Sequence, residues 1–263
     1  MKVSIICVNY NSYEQLRKYL VSLQFSFEKS RGILLEVFCA DNSSIKQQVK
    51  IDLPFRFEIV QFDNLGYFGG ALAVINSRKT VKESDYVIIS NVDLQVEEDF
   101  FQNLTSIKID KRIAWLAPKI WSNYEKGDKN PQRCIRPSKK RLNQLIFLYS
   151  HPFLYYLYEH TLYRRKKNKS TCPDDLEIYC GHGSFIILTK YFVEKYERIE
   201  YPCFLYCEEL FLGELIRKAD MKVLYKPLIK IIDDEHVSTA MLPSKKYYEY
   251  NLNSLRFIKK SFY

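Results

Sequence analysis

The stretch 84–98 constrains the fold most, because an apolar run there leads directly into an acidic residue. Residues 86–90 are apolar and largely β-branched, which is typical of a buried parallel strand. Asn91 and Asp93 follow at once. Ligands bind beyond the carboxyl ends of the strands in an open α/β sheet, so Asp93 is placed to touch a substrate or metal ion. Alternatively, Asp93 caps a helix predicted over residues 96–104.

Length and composition are those of one large α/β domain or two tightly fused halves. The chain has 263 residues, of which 47% are hydrophobic, enough to bury a full core. It contains no uncharged apolar run of membrane-spanning length, and its amino terminus has no signal-peptide cleavage region, so we expect a cytoplasmic protein. Seven cysteines without a CxxC pair favour reduced, buried thiols. The spacing of Cys203 and Cys207 makes zinc a weak alternative.

The formal charge of +9 predicts an anionic partner. Many of the basic residues flank an aromatic stretch, 142–163, which is too polar to span a bilayer but could lie in its interface. A second basic aromatic stretch is the tail, 245–263. Both stretches could instead be ordinary helices with a solvated basic face.

Two earlier apolar runs also end in polar residues. Residues 3–8 predict the first strand and lead into Asn9 and Tyr10, and residues 34–40 predict the second and lead into Asp41. Right-handed crossovers would bring these ends to the same edge of a parallel sheet. A turn or helix cap also favours such residues, and that explanation stays open for Asp41.

The third predicted strand, 57–62, runs into a glycine-rich loop. Asn64 and Gly66 open this loop, and two further glycines stand at the start of the next predicted helix. Glycines let the backbone approach a ligand closely, and free amides at a helix start can meet phosphate or ribose. A nucleotide is therefore the expected ligand. A dinucleotide-binding dehydrogenase is disfavoured, because its glycines follow the first strand and its acidic residue comes later.

The segments VNYN, ADNSS, NLGYFGG and SNVD, in this order and at these intervals, resemble the family-two glycosyltransferases with the GT-A fold, and in particular the rhamnosyltransferase branch. The resemblance covers about residues 2–260. It implies a Rossmann-like, mostly parallel central sheet flanked by helices. It also implies a single domain, 1–240, in which a nucleotide-sugar half, 1–95, is fused to an acceptor half, 96–240. A basic aromatic helical tail, 241–263, would follow.

The resemblance assigns a nucleotide-binding role to residues in three of these segments. Asn9 and Tyr10 would flank the base, and Asp41 would bind the base or its ribose. Asn64 and Gly66 would close over the nucleoside.

The same resemblance implies a divalent metal cofactor, Mg²⁺ or Mn²⁺. The family's acidic metal motif matches the segment from Asn91 to Asp93. Its first acid is here an amide, which leaves Asp93 to anchor the ion and Asn91 to face the nucleotide. His236 matches a histidine that completes the metal site in the family, and neutral imidazole beside a carboxylate and a diphosphate is reasonable chemistry.

Acceptor and catalytic residues are expected in the second half. In the family, the segment that matches His182 and Gly183 lines the acceptor pocket. A thiol nucleophile, Cys180 with His182 as its base, is disfavoured because residues two apart on an extended chain have no assured hydrogen bond. The family's Glu-Asp pair matches Glu208 and Glu209. Glu209 occupies the position of the general base, although its longer side chain leaves Glu208 as an alternative.

The resemblance therefore implies an inverting hexosyl- or rhamnosyltransferase. It would move a sugar from a UDP- or dTDP-linked donor to a glycan or polyprenyl-diphosphate-linked acceptor in bacterial surface polysaccharide synthesis. The basic aromatic stretches predict peripheral contact with the inner face of the cell membrane. Tyr250 replaces a family arginine, and residues 196–201 lack the usual glycines. Asn91 and Glu209 also differ from the family's acidic residues, which leaves a catalytically inactive nucleotide-sugar binding protein as the alternative. A nucleic-acid binder is disfavoured.

Overall fold

The computed structural model of the protein describes residues 1–158, 172–234 and 244–263. Its strands are β1 (Lys2–Asn9), β2 (Leu34–Asp41), β3 (Arg56–Gln61), β4 (Tyr86–Asn91), β5 (Leu94–Val96), β6 (Ile113–Ser122), β7 (Gly127–Asp128), β8 (Leu176–Ile178), β9 (Phe185–Thr189) and β10 (Lys222–Asp233). Its helices are α1 (Tyr13–Glu28), α2 (Tyr67–Ser77), α3 (Lys79–Lys82), α4 (Phe100–Ser106), α5 (Lys139–Tyr149), α6 (Pro152–Tyr158), α7 (Lys190–Val193), α8 (Glu208–Lys218) and α9 (Ser244–Phe262). The predicted α/β class is confirmed.

The strands described above join in one mixed sheet, in the order β3-β2-β1-β4-β9-β6-β10-β5, with β7 paired to β6 and β8 to β10. The strands β1 to β4 pair with one another in parallel. Their register places Asn9 opposite Asp41, and Val8 opposite Asn91. The polar ends of three strands therefore meet at one edge of the sheet, as the sequence predicted.

The second half of the sheet is mixed rather than parallel. β9 runs antiparallel to both β4 and β6, while β10 runs parallel to β6. The strand β10 contains Pro227 in its interior. It has a register shift between Lys226 and Lys230, and a proline can be accommodated at such an irregularity in a strand.

Apolar side chains cover both faces of the sheet, which is why its central strands read as continuous hydrophobic runs. On one face, residues of α2, α8 and α9 pack against alternate strand residues such as Ile6 and Ile89. On the other face, α1 and α4 pack against residues such as Ile5 and Ile88. The alternation of Ile5 and Ile6 between two cores is the two-residue period of a strand buried on both sides.

The alternative role of Asp93 as a helix cap is wrong. The short strand β5 follows Asp93 directly, and α4 begins only at Phe100, with Asp99 in the N-cap position. β5 pairs antiparallel with the end of β10, where Val96 lies opposite Ile231. This long-range pairing keeps residues 94–96 extended.

The C-terminal helix α9 lies in the stretch predicted to be a helical tail, and it packs against the segment that contains α5. Arg136 Nη2 donates a hydrogen bond to the Phe262 carbonyl at 2.9 Å, and the Arg136 guanidinium lies 3.8 Å from the centre of the Tyr263 ring. Among the helices of the described residues, none is both long and apolar enough to cross a bilayer.

Candidate active site

The ends of β1 and β2 are joined by a buried hydrogen-bond network. Asn9 Nδ2 donates to Asp41 Oδ1 at 3.0 Å and to Ser43 Oγ at 3.1 Å. The Tyr13 hydroxyl donates to Asp41 Oδ2 at 2.7 Å. Asn9 and Asp41 are fully buried, whereas Tyr10 is 46% exposed. The first two side chains fix the loops beyond the strands and Tyr10 offers its ring at the surface; nucleoside contact stays a prediction for all three.

The glycine-rich loop is held against a loop of the second half. The Asn42 side-chain amide donates to the Gly66 carbonyl at 2.8 Å, and Asn64 Oδ1 accepts the Gly66 N–H at 3.0 Å. Gly66 has a φ of +77°, and a Cβ there would stand 2.9 Å from the carbonyl carbon of Phe204 and closer still to its oxygen. Only glycine fits this close approach. Asn64 thus orders the loop assigned to the nucleoside.

Asp93 stands just beyond the end of β4 with an unusual environment. Its Oδ1 is buried and has no hydrogen-bond partner in the structure. Burial and the nearby Asp233 carboxylate raise the pKa of Asp93 to about 6, and Lys129 and the Asn91 side chain oppose this shift. A buried carboxylate oxygen without a donor is suited to a cation. The residue present therefore fits the predicted divalent ion.

A second acidic residue, Asp233, lies beside Asp93 at the end of β10. It is 5% exposed, and its Oδ2 pairs with Lys129 Nζ at 2.8 Å. The sequence indicates no role for Asp233 or Lys129, because β10 and the loop after β7 become neighbours only in the folded sheet. His236, the other predicted metal ligand, lies outside the described residues.

The adjacent glutamates open α8 after a constrained turn. Tyr206 and Cys207 both have left-handed backbones, with φ of 71° and 63°. This conformation costs a non-glycine residue about 1–2 kcal/mol. The Tyr206 N–H donates to Glu208 Oε1 at 2.9 Å, and Glu208 is 7% exposed. Burial and the neighbouring Glu209 raise the pKa of Glu208 to about 8, so this carboxyl is largely protonated at neutral pH.

Glu209 is more accessible than Glu208 and faces the loop that precedes β9. Its Oε2 lies 3.6 Å from the position that a Cβ would take at Gly183. Burial raises the pKa of Glu209 above its ordinary value; its own backbone N–H and the positive charge of Arg133 oppose this rise without cancelling it. The structure thus brings two predicted residues, Glu209 and Gly183, together. Sequence reasoning missed Arg133, which had been grouped with the basic residues before the aromatic stretch.

Tyr67 connects the strand-end region to the glutamates, a role that no local pattern of the chain indicates. Its hydroxyl donates to the Gly183 carbonyl at 2.8 Å. Burial raises the pKa of Tyr67 above its ordinary value, and the Glu208 and Asp93 carboxylates add to the rise. Because both carboxylates act on one hydroxyl, the residues predicted to bind metal and to act as base share one region of the molecule.

His182, predicted to contact the acceptor, is held by its neighbours. Its backbone N–H donates to Asn130 Oδ1 at 2.7 Å. Its Nδ1 accepts the Ser184 N–H at 3.2 Å and lies 2.9 Å from Ser184 Oγ. This leaves Nε2 to carry the proton of the neutral ring. Contact with an acceptor stays a prediction.

Comparison with known proteins identifies the fold. No family model and no curated protein matches the chain. Among solved structures, GalNAc-T7 with UDP, GalNAc and Mn²⁺ superposes with a TM-score of 0.58 at 13% identity, over 90% of this chain and 44% of that one. TarS of S. aureus gives 0.53 at 12% identity, over 100% and 44%. The mannosyltransferase PcManGT of Pyrobaculum calidifontis, in complex with GDP-Man and Mn²⁺, gives 0.53 at 12%, over 90% and 58%.

These neighbours are GT-A glycosyltransferases, and the predicted GT-A fold is confirmed. The chain spans roughly half the length of each neighbour. At such low sequence identity the likeness is one of fold, and the activity has to be argued from the residues of the site.

Proposed function

We propose that the protein is an inverting glycosyltransferase that moves a sugar from a nucleoside diphosphate to an acceptor hydroxyl. The observation that carries this proposal is the arrangement of two kinds of carboxylate around Tyr67. Asp93 offers a buried oxygen without a donor, and both Asp93 and Glu208 act electrostatically on the Tyr67 hydroxyl. Glu209 follows Glu208 at the start of α8. An in-line displacement at a sugar carbon requires two sites. One site stabilises the charged leaving group, and the other accepts a proton.

The donor would lie across the edge where β1, β2 and β4 end, with its diphosphate towards Asp93. Tyr10 would stack on the base, and the loop at Gly66 would close over the nucleoside. Asp93 would hold a divalent ion, Mg²⁺ or Mn²⁺, together with His236. Bound there, such an ion would neutralise charge that develops on the leaving diphosphate. Two of the neighbours that share the fold were solved with Mn²⁺, which supports this assignment.

Glu209 is our choice for the general base. It would take the proton of the acceptor hydroxyl while the oxygen forms a bond to the anomeric carbon and the bond to the diphosphate breaks on the opposite face. A base has to be ionised at working pH, and the high pKa of the buried Glu208 makes that residue unsuitable. Glu209 lies against Gly183, in the segment assigned to the acceptor pocket.

We further propose a hexosyl or rhamnosyl donor linked to UDP or dTDP, and a glycan or polyprenyl-diphosphate-linked acceptor of bacterial surface polysaccharide synthesis. The nucleotide-sugar half would be 1–95 and the acceptor half 96–240. α5 and α6 support a peripheral contact with the inner face of the membrane: their exposed apolar side chains include Phe147 at 54%, Phe153 at 71% and Tyr156 at 55%. Basic side chains beside exposed aromatic ones favour an anionic lipid surface.

A donor-binding and turnover experiment tests the central proposal. Calorimetry with UDP, dTDP and GDP, each with Mn²⁺ or with chelator, should give metal-dependent binding of one pyrimidine nucleotide. Asp93→Asn should abolish the metal dependence, whereas the matched surface variant Asp99→Asn should not. Glu209→Gln should keep donor binding and lower turnover by about 10²- to 10⁴-fold.

Each other outcome is informative. Loss of donor binding in Glu209→Gln would remove that residue from the role of base. Binding without any transfer or donor hydrolysis in the unmodified protein would instead favour a nucleotide-sugar binding protein. No binding of any nucleotide would contradict the proposal as a whole.

A further inference from the structure

Arg133 is fixed beside the candidate base by its backbone alone. Its N–H donates to the Cys180 carbonyl at 3.1 Å. Its own carbonyl accepts the N–H groups of Tyr179 at 3.0 Å and Cys180 at 3.2 Å. The bridged residue, Cys180, directly precedes the segment 181–183, whose last glycine lies against Glu209. Because these contacts involve only main-chain atoms, they survive a change of the Arg133 side chain.

The side chain of Arg133 differs from that of its neighbour Arg136. Arg136 forms two hydrogen bonds to Glu214, at 2.6 and 3.1 Å, and a third to the Phe262 carbonyl. Arg133 is half-buried, and its Nε is buried without a hydrogen-bond partner in the structure. A buried guanidinium nitrogen without an acceptor is costly. Arg136 therefore has an evident structural role, whereas the Arg133 side chain calls for another explanation.

Three groups lie within the electrostatic reach of Arg133. Its positive charge lowers the pKa of Glu209 and opposes the rise that burial causes in the thiols of Cys180 and Cys207. Glu209 is the carboxylate in this set. Glu208, which lies next to Glu209 on α8, is a further titratable neighbour.

We propose that Arg133 is a positioning residue that keeps the Glu209 carboxylate ionised, so that Glu209 rather than Glu208 accepts the proton of the acceptor. This inference rests on the proposed function. Two adjacent buried carboxyl groups cannot both ionise easily, and a fixed cation beside one of them decides which does. The cation acts on Glu209 through space. The carboxylate oxygens accordingly stay available for a substrate hydroxyl.

The test is the pH profile of kcat/KM, for transfer or for donor hydrolysis, in Arg133→Met and Arg133→Lys. Methionine keeps much of the length and apolar stem but removes the charge, which should move the acidic limb to higher pH by about one unit. Activity at a pH on that limb should then fall about tenfold, while the plateau at higher pH is retained. Arg133→Lys should restore the original limb. The control, Arg112→Met, removes an exposed arginine that pairs with Asp110 and should leave the profile unchanged.

A measurement that needs no activity separates this inference from the proposed function. Removal of the cation raises the pKa of Glu209, so Arg133→Met should lose melting temperature relative to the unmodified protein as pH rises from 5 to 8. The loss should be absent when Glu209 is also glutamine. If the protein shows no transfer but the loss of melting temperature still depends on Glu209, the proposed function is wrong and this inference stands. Two results would overturn the inference. One is an active Arg133→Met whose acidic limb is unshifted, and the other is a loss of melting temperature that persists when Glu209 is glutamine.

Discussion

Gly66 offers the sharpest test of how the glycine-rich loop packs against the loop at Phe204. Alanine at this position meets two separate penalties. The backbone has a φ of +77° and a ψ of 175°, a combination that glycine alone adopts readily and that costs an alanine about 1–3 kcal/mol. The new Cβ would also stand 2.9 Å from the Phe204 carbonyl carbon, closer than the 3.0 Å that Cβ atoms keep, and closer still to the oxygen. Forcing the Phe204 loop aside should cost about 1–3 kcal/mol more.

Gly32 is a natural control for this experiment. Its φ is also positive, at +72°, but nothing lies within 4 Å of the Cβ position. Gly32→Ala should therefore show a positive-φ penalty without a clash. Urea unfolding should place Gly66→Ala below Gly32→Ala by at least the cost of the clash, with unchanged m-values. Equal stabilities of the two variants would refute the reasoning, because they would mean that the Phe204 loop yields without cost.

Three further predictions concern charge and exposure. The raised pKa of Glu208 makes the folded protein hold a proton that the unfolded chain releases. Glu208 should therefore make stability fall with rising pH between about 4.5 and 8, by about 1.4 kcal/mol per unit. Glu208→Gln should remove this part of the slope in urea unfolding at several pH values, while Asp93, whose pKa is also raised, keeps its own part. Burial of Glu214 is outweighed by hydrogen bonds from Arg136, Tyr179 and Arg217, which lower its pKa, so its contribution should be present near neutrality and disappear as pH falls below about 4. Glu214→Gln should cost about 3 kcal/mol at pH 7, and a cost that persists at pH 3 would contradict this. Phe153→Ser should weaken co-flotation with anionic liposomes about thirtyfold at low salt, since a buried phenylalanine contributes about 2 kcal/mol and 1.4 kcal/mol is about tenfold; unchanged flotation would exclude α6 from the contact.

The parts of the fold that could be predicted are those that short segments determine. The run before Asn91 is buried on both faces, so its hydrophobicity alone indicates a central strand, and the same holds for the run before Asp41. Asp93 shows the limit of local reasoning. Its sequence context suits a helix cap, but residues 94–96 become a strand because they pair with β10, more than a hundred residues away.

The candidate site divides in the same way. Glu209, Gly183 and Asp93 belong to short motifs, and their sequences pointed to chemistry. Tyr67 and Arg133 lie in segments whose local pattern indicates only a helix start and a basic loop. Their importance comes from contacts with Gly183 and Cys180, which are 116 and 47 residues away along the chain. A single sequence carries no signal of such pairings.

The energetics of the site support a functional reading of its unusual residues. Several features of the site each reduce the stability of the folded chain: the left-handed backbones of Tyr206 and Cys207, the protonated Glu208 and the buried Asp93 oxygen. The two hydrophobic cores can offset such costs, but nothing in the packing requires them: glycine would relieve the turn, and an amide would relieve each carboxyl group. These unfavourable features cluster where a strand end, a tight loop and a helix start converge. Such clustering is expected of a site that binds charge and moves a proton. If the proposed function is correct, Glu208→Gln and Asp93→Asn should be at least as stable as the unmodified protein near neutral pH while Asp93→Asn loses metal-dependent donor binding. That combination separates a residue kept for chemistry from one kept for the fold.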